Sequence, residues 1–335
     1  MSVGKYYLLV FLLSVTVSAT ATEPAHLETE TTSPAKALLS KMLHAMATLN
    51  YQGTVAFLKN GKLEPMKYFH AAKQGAEQER LLSLNSPMRE IIRDAGKVSC
   101  FYKTTEQLVV DYRPFERSFL LDLPDNLNEL DALYQIELLP DEDVAMLPVH
   151  VILIKPKDTL RYSHKIWLSK QQLLPLKVSV YDEQGEVLEQ MVFTELHVFP
   201  DLPFVSVNKP DPNNPVQQTY ALQAQSSEHA GFYLKEMPKG FKEVFFTRRP
   251  MHNSEQPVDH LLLSDGLASV SVYMEPINPQ INNARNDEEH VDSVGAIHFY
   301  SRHINDYELT VMGEVPSATV KLIAEGIVLR APNKP

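Results

Sequence analysis

At 335 residues the chain is long enough for two domains of ordinary size. Its 31 basic and 42 acidic side chains leave a formal charge of −11, which gives no general attraction to phosphate backbones and argues against nucleic acid as a partner. Hydrophobic residues at 44% suit a packed core, and 23 prolines against 12 glycines suit a sheet protein with stiff connections better than a glycine-rich nucleotide-binding fold.

The chain opens with Lys5 and an apolar run from Tyr6 to Val17, interrupted only by Ser14 and Thr16. Ala19-Thr20-Ala21 then places small residues at the −3 and −1 positions of a signal-peptidase site. The apolar core of about 12 residues is shorter than the roughly 20 that a membrane helix needs. The expectation is a signal peptide over residues 1–21, cleavage after Ala21, export to the periplasm, and a mobile N-terminus over 22–33. No cysteine sits at the cleavage site, which argues against a lipoprotein anchor. Cys100 is the only cysteine, so no internal disulfide forms. Its place in Lys97–Tyr102 reads as a strand, with the thiol as a small buried apolar group.

Ser33 before Pro34 reads as an N-cap followed by proline at the first helical position. Leu38, Leu39, Met42, Leu43, Met46 and Leu49 then recur at helical spacing and need an apolar surface to cover. Beyond Asn50 the period changes. Thr54–Leu58 and Leu63–Ala71 read as strands around the turn Lys59-Asn60-Gly61-Lys62, a hairpin. Short strands continue at 80–84, 90–93, 98–102 and 107–112. Leu127–Leu139, without proline and with apolar residues at Leu127, Leu130, Leu133 and Tyr134, reads as a helix. Strands resume at 149–154 and 164–168, and a long hairpin joins 176–181 to 187–197 through Asp182-Glu183-Gln184-Gly185. Strand and helix do not alternate, so a doubly wound parallel sheet is excluded.

Pro200, Pro203, Pro210, Pro212 and Pro215 fall within sixteen residues and read as a stiffened linker. The expected organisation is a first domain over 34–199, a linker over 200–216 and a smaller domain over 217–335. The second domain has strands near 232–235, 242–247, 260–263, 268–274, 295–301 and 307–312, and a helix over Ser317–Gly326. The polar stretch Asn278–Asp292 reads as a mobile loop. The fold class is α+β: a large curved antiparallel sheet with covering helices, followed by a smaller, mainly antiparallel α+β domain.

No catalytic motif, P-loop, dinucleotide fingerprint or paired-cysteine motif is present, so no catalytic residue, metal ligand or cofactor is assigned. His290, His298 and His303 lack the one-face geometry of helical metal ligands. Asp141-Glu142-Asp143 lacks a spaced calcium-loop pattern and reads as a solvated turn. Glu79-Arg80 and Arg89-Glu90 read as charges that cross-pair within the sheet. Arg248-Arg249 beside Phe245-Phe246 is the one compact basic and aromatic spot. It is the candidate partner contact, against the plainer reading of a surface turn with phenylalanines in the core. The stripe Leu38, Leu39, Met42, Leu43 and Met46 is the candidate lid of a lipid cavity.

Tyr51-Gln52-Gly53-Thr54, Leu63-Glu64-x-Met66, His70, Glu79-Arg80-Leu81, Leu84-Asn85, Arg89-Glu90 and Val98-x-Cys100 resemble the opening of the RseB/MucB family. So do Met237-Pro238-x-Gly240-Phe241, Ser264-Asp265-Gly266-Leu267-Ala268-x-Val270-Ser271-Val272 and Val311-x-Gly313-Glu314-Val315-Pro316 in the second domain. The resemblance implies a first domain similar to the lipoprotein carriers LolA and LolB, a half-open antiparallel sheet closed by helices over an apolar cavity. It implies a periplasmic, non-enzymatic regulator of the sigma-E envelope-stress response. Such a protein binds the periplasmic domain of a membrane-embedded anti-sigma factor of the RseA/MucA kind and protects it from the site-one protease. A lipid signal such as lipopolysaccharide, or another acyl-chain ligand, would loosen the complex. The alternative is a lipid or lipoprotein carrier of the LolA/LolB type. Homo-oligomerisation is left open.

Overall fold

Serine before proline starts the first helix where the sequence places it. In the computed structural model, which describes residues 33–85, 87–102, 107–112, 118–205, 217–218, 225–250, 256–277 and 289–330, α1 spans Pro34–Thr48. The Ser33 side chain accepts from the Lys36 N–H at 3.3 Å, and proline occupies the first turn, where its missing donor costs nothing. The expected signal peptide, the N-terminus before Ser33, linker residues 206–216 and loop residues 278–288 lie outside the described residues.

The first sheet is built from two antiparallel meanders. One comprises β1 (Asn50–Lys59), β2 (Lys62–Lys73), β3 (Ala76–Ser83), β4 (Arg89–Asp94), β5 (Lys97–Tyr102) and β6 (Gln107–Tyr112). The other comprises β7 (Tyr134–Val144), β8 (Leu147–Pro156), β9 (Ser163–Ser169), β10 (Pro175–Tyr181) and β11 (Val187–Phe199). β11 returns to β1 in register from Asn50↔Phe199 to Lys59↔Glu189, with a bulge at Thr54/Val55, and so joins the meanders. The short β12 (Gln217–Gln218) adds in parallel outside β6, so the pairing of this sheet extends beyond the proline-rich stretch. The order is β12-β6-β5-β4-β3-β2-β1-β11-β10-β9-β8-β7, and its two ends do not pair: the sheet is open. The β1–β2 turn has positive φ at both Asn60 (51°) and Gly61 (68°), the two-residue geometry that asparagine and glycine favour.

Curvature follows from the size of α1. The helix touches both β2 and β7, which stand six strand positions apart in the sheet. A flat sheet would separate them by about 29 Å at ~4.8 Å per strand, whereas a helix with its side chains is about 10–12 Å across. The sheet must therefore wrap around the helix. Leu39 and Met42 are 0% exposed and share one core with Tyr51, Tyr68 and Leu81 on one side and Tyr134, Ile152 and Ile166 on the other. The convex face carries its own small cluster, in which Val149, Val151, Trp167 and Leu176 are buried.

The second sheet begins after β13 (Phe232–Leu234) with β14 (Lys242–Pro250), β15 (Pro257–Ser264), β16 (Ser269–Pro276), β17 (His290–Val294), β18 (Ile297–Ile304) and β19 (Tyr307–Gly313). Its order is β14-β15-β16-β19-β18-β17. α2 (Ser317–Gly326) lies on β18 and β19 and buries Val320, Ile323 and Ala324. The last strand, β20 (Ile327–Leu329), pairs with β13. The architecture is α+β, a large open antiparallel sheet and a smaller antiparallel one, as expected from the sequence.

The expected loop Asn278–Asp292 ends earlier, because His290–Asp292 belong to β17 and pair with β18. Three further local expectations need correction. Leu127–Leu139 is not a helix: Leu127–Ala132 forms a 3₁₀ turn and the chain then enters β7. Leucines at 127, 130 and 133 are three apart, the period of a 3₁₀ helix, and from Tyr134 onward the backbone is claimed by pairing with β8. Asp141-Glu142-Asp143 is not a turn but part of β7, across the bulge between Leu139 and Glu142. There Glu142 accepts from Trp167 Nε1 at 2.7 Å and from Lys165 at 3.0 Å. Cys100 is half-buried rather than buried, beside Tyr102, whose phenol is raised first by a hydrogen bond with this thiol.

A core assembled this way predicts a sharp contrast between two leucines. Leu39→Ala removes a 0% exposed side chain and costs about 2–5 kcal/mol, while Leu63→Ala, at a position 61% exposed, costs less than about 0.5 kcal/mol. Urea denaturation of both variants checks this.

Candidate functional site: the concave face and the joint between the sheets

Among the described residues, the apolar stripe of α1 packs against the chain's own side chains. Leu39, Met42 and Met46 are buried, Leu38 and Leu43 pack half-buried against the same core, and Leu120, Leu121 and Leu123 from the crossing between β6 and the 3₁₀ turn fill the face beside them. All five cavity candidates thus line the concave face, which is occupied by the chain's own leucines.

A polar cluster borders this face. The Glu79 side chain, 2% exposed, accepts from Tyr68 Oη at 2.8 Å and Ser118 Oγ at 2.6 Å through one oxygen. Its other oxygen accepts from the Phe119 N–H at 2.8 Å and Arg93 Nε at 3.1 Å. Burial and then the Glu79 charge push Tyr51 and Tyr68 well above the usual phenol range. Burial alone would lower Arg93, but Glu79 more than offsets it. The outer pairs also form across strands: Arg80 to Glu90 at 2.5 Å and Arg89 to Glu64 at 2.6 Å.

The two sheets meet at Arg161, a residue the sequence reading did not single out. Its side chain is 0% exposed. Nε donates to Asp265 Oδ2, Nη1 to Asp158 Oδ2 at 2.5 Å and Nη2 to the Lys239 carbonyl, while the guanidinium lies 4.9 Å from the Phe241 ring centre. Asp265 is also 0% exposed and is fully engaged. Tyr134 Oη donates to Oδ2 at 2.7 Å, and the Leu267 and Ala268 N–H groups donate to Oδ1 at 2.9 and 2.7 Å. Burial pulls Arg161 down, and its hydrogen bonds and charge interactions, led by Asp265 and followed by Asp158, more than restore it. Gly240 is required at this joint: its φ is +87°, and a Cβ there would lie 2.4 Å from Leu133 Cδ1.

Further contacts extend the joint. Thr319 Oγ1 donates to the Leu160 carbonyl at 2.9 Å, and Tyr162 Oη lies 3.0 Å from His298 Nδ1. The β17–β18 tip rests on the β1–β2 and β10–β11 tips: Asn60 accepts from the Gly295 N–H at 2.5 Å, and Glu189 accepts from the Ala296 N–H at 2.9 Å. Glu189 also pairs with Lys59 at 2.7 Å. Gly295, with φ +64°, has no room for a Cβ beside Glu189 and Lys59. From Ser33 onward the chain is one compact unit.

The candidate partner contact lies on β14, at one edge of the second sheet. Phe246 is 1% exposed and belongs to the core of that sheet. Phe245 is half-buried, edge-on to His260 at 5.1 Å. Arg248 is exposed but paired bidentately with Asp259, its partner in register on β15. Arg249 is half-buried. Elsewhere, the start of the linker is clipped to the convex face: Gln78 accepts from the Val205 N–H at 2.7 Å and donates to its carbonyl at 3.1 Å.

An open antiparallel sheet wrapped on one helix, with a smaller antiparallel sheet docked on it through a buried ion pair, defines a two-domain α+β class. The chain belongs to the MucB/RseB family: the family model for the MucB/RseB N-terminal domain matches residues 34–211, and that for the C-terminal domain matches 226–328. It is 28% identical over 299 residues to the sigma-E factor regulatory protein RseB of Salmonella typhimurium, covering 88% of this chain and 91% of that protein. It is 26% identical over 298 residues to the sigma factor AlgU regulatory protein MucB of Pseudomonas aeruginosa, covering 86% and 89%. A crystal structure of MucB in complex with MucA(peri) superposes with a TM-score of 0.67 at 25% identity, over 89% of this chain and 99% of that one. These relatives carry the names of regulators.

The joint also holds a histidine with a pH signature. His164 on β9 is buried, its Nδ1 has no hydrogen-bond partner among the described residues, and burial depresses it to about 4 from 6.5 despite the Asp265 charge. Above pH ~6.5 the ring is neutral folded or unfolded. Between ~6.5 and ~4 the unfolded chain binds a proton that the folded one does not, so stability falls as pH falls, by at most about 3 kcal/mol. His164→Phe is expected to lose less stability than wild type between pH 7 and 4.5, measured by urea denaturation. An equal loss would remove His164 from the pH response.

Proposed function

We propose that the chain is a non-enzymatic regulator that binds the periplasmic domain of a membrane-embedded anti-sigma factor of the RseA/MucA kind. By occupying that partner it shields it from the site-one protease and restrains the sigma-E envelope-stress response. A lipid signal, lipopolysaccharide or another acyl-chain ligand, releases the partner. The protein acts in the periplasm after loss of residues 1–21. Among the described residues no helix is long and apolar enough to cross a membrane.

The observation that carries this reading is architectural. The fold that MucB presents in its complex with MucA(peri) extends over 89% of this chain, across both sheets. The joint at Arg161 supports it further, because a carrier made of the first sheet alone has no use for a buried cation reaching into a second one.

The contact proposed on β14 centres on Arg249 and Arg248, with Phe245 beside them. Extended partner segments lose chain entropy on ordering and need concentrated anchors, which an acidic protein offers in few places. Arg249→Ala in the full-length protein is expected to weaken binding of the anti-sigma periplasmic segment at least tenfold, about 1.4 kcal/mol, and to speed its cleavage by the site-one protease. Arg248→Ala also strips Asp259 of its ion pair, so its folding must be followed alongside. Calorimetry at moderate salt measures both. Unchanged affinity in both variants moves the contact elsewhere; no saturable binding to the wild type ends the regulator reading.

A further inference from the structure

The concave face of the first sheet is filled by a strap. Ser118–Leu123 has no regular secondary structure, yet Leu120, Leu121 and Leu123 are 7%, 9% and 2% exposed in the same core as Leu39, Met42 and Met46. Downstream it is hinged on the 3₁₀ turn. Lys36 of α1 binds Asn128 at 2.9 Å and pairs with Asp131, and Lys157 donates to the Asp131 carbonyl at 2.6 Å. Upstream, Ser118 Oγ and the Phe119 N–H both rest on Glu79.

Among the described residues, that upstream attachment is concentrated on a single carboxylate shared with Tyr68 and Arg93. It is also incompletely satisfied among the described residues, where the buried Arg93 Nη2 has no hydrogen-bond partner. A network in a low-dielectric site is strong when every member is paired and yields first where one is not. The strap contributes apolar side chains but no strand to the sheet, so its departure leaves the ladder from β1 to β11 intact.

We infer that Ser118–Leu123 is a built-in occupant of the concave face, latched by Glu79, which an acyl chain displaces. The identity of the occupant rests on the lipid half of the proposed function; the latch itself does not. Leu120, Leu121 and Leu123 hold an apolar volume that the described fold otherwise packs closed, and a flexible hydrocarbon is the chemistry that replaces three leucines against α1 without leaving a void. Ligand entry and strap release are then one exchange, in which displaced leucines offset the burial of the chain.

Two variants of the full-length protein test this, by amide exchange followed by mass spectrometry and by titration with decanoate. Glu79→Gln keeps the side chain's size but turns an amide N–H toward Arg93 or Phe119. Ser118→Ala removes one latch contact and leaves the sheet untouched. The expected result is at least tenfold faster exchange at Phe119–Leu123 with α1 unchanged, larger for Glu79→Gln, and decanoate affinity raised several-fold in both. Strap amides that exchange only together with those of α1, in both variants, overturn the latch. A strap released without saturable decanoate binding in any form upholds the latch and removes the lipid reading. Saturable binding of equal affinity in all three proteins overturns displacement of the strap while the lipid reading stands.

Discussion

The architecture depends on one buried ion pair. Arg161 leaves the first sheet and ends on Asp265 in the second, with both side chains out of water. Removing two charges from water costs several kcal/mol each, and mutual attraction repays this only when the remaining donors and acceptors are also satisfied. Here they are. Asp158, the Lys239 carbonyl and the Phe241 face complete the arginine, while Tyr134 and two backbone N–H groups complete the aspartate. The arrangement needs both sheets at once, because neither alone supplies the full set. The contacts at Thr319, His298 and the β17–β18 tip then fall into place around it.

The contrast with Glu79 explains where the molecule is stiff and where it can yield. Both sites bury an arginine beside a carboxylate. Within the Arg161–Asp265 pair each guanidinium nitrogen and each carboxylate oxygen has a partner. At Glu79, among the described residues, one nitrogen of the Arg93 guanidinium is unpartnered, and two of the four donors come from a strap without regular structure. Local opening is drawn from such under-bonded segments, while fully paired cores open last. The proposed function, with a lipid signal received at one face and a partner held at another, calls for this distribution: a firm joint and a soft place.

Local chemistry made much of the fold legible. Ser33-Pro34 marked the start of α1, Asn60-Gly61 marked the first turn, and Ser317–Gly326 read as α2 from its buried Val320, Ile323 and Ala324. The failures arose where tertiary partners decide. Leucines three apart at 127, 130 and 133 could not tell a 3₁₀ turn from an α-helix until β8 was known to claim Tyr134 onward. The ion pair of Arg248 with Asp259, eleven residues away, was not legible, because it forms only in the register of β14 and β15. The stripe of α1 was visible, but not what covers it, since Leu120–Leu123 reach the concave face through an irregular crossing with no period to read. Asp265 lay in a recognisable stretch, Ser264–Val272, yet its role needed Arg161, 104 residues earlier.

If the buried pair makes the two sheets one cooperative body, they unfold together. Trp167 is the only tryptophan and lies in the first sheet, while the amides of Val320–Ala324 report on the second. Urea titration of the full-length protein, read by tryptophan emission and by amide exchange of α2, is the most direct measurement. Coincident transitions are expected, both shifted to lower urea by Asp265→Ala, which leaves Arg161 buried and unpaired. Two separated transitions in the wild type, or a shift of only one in the variant, would contradict the account.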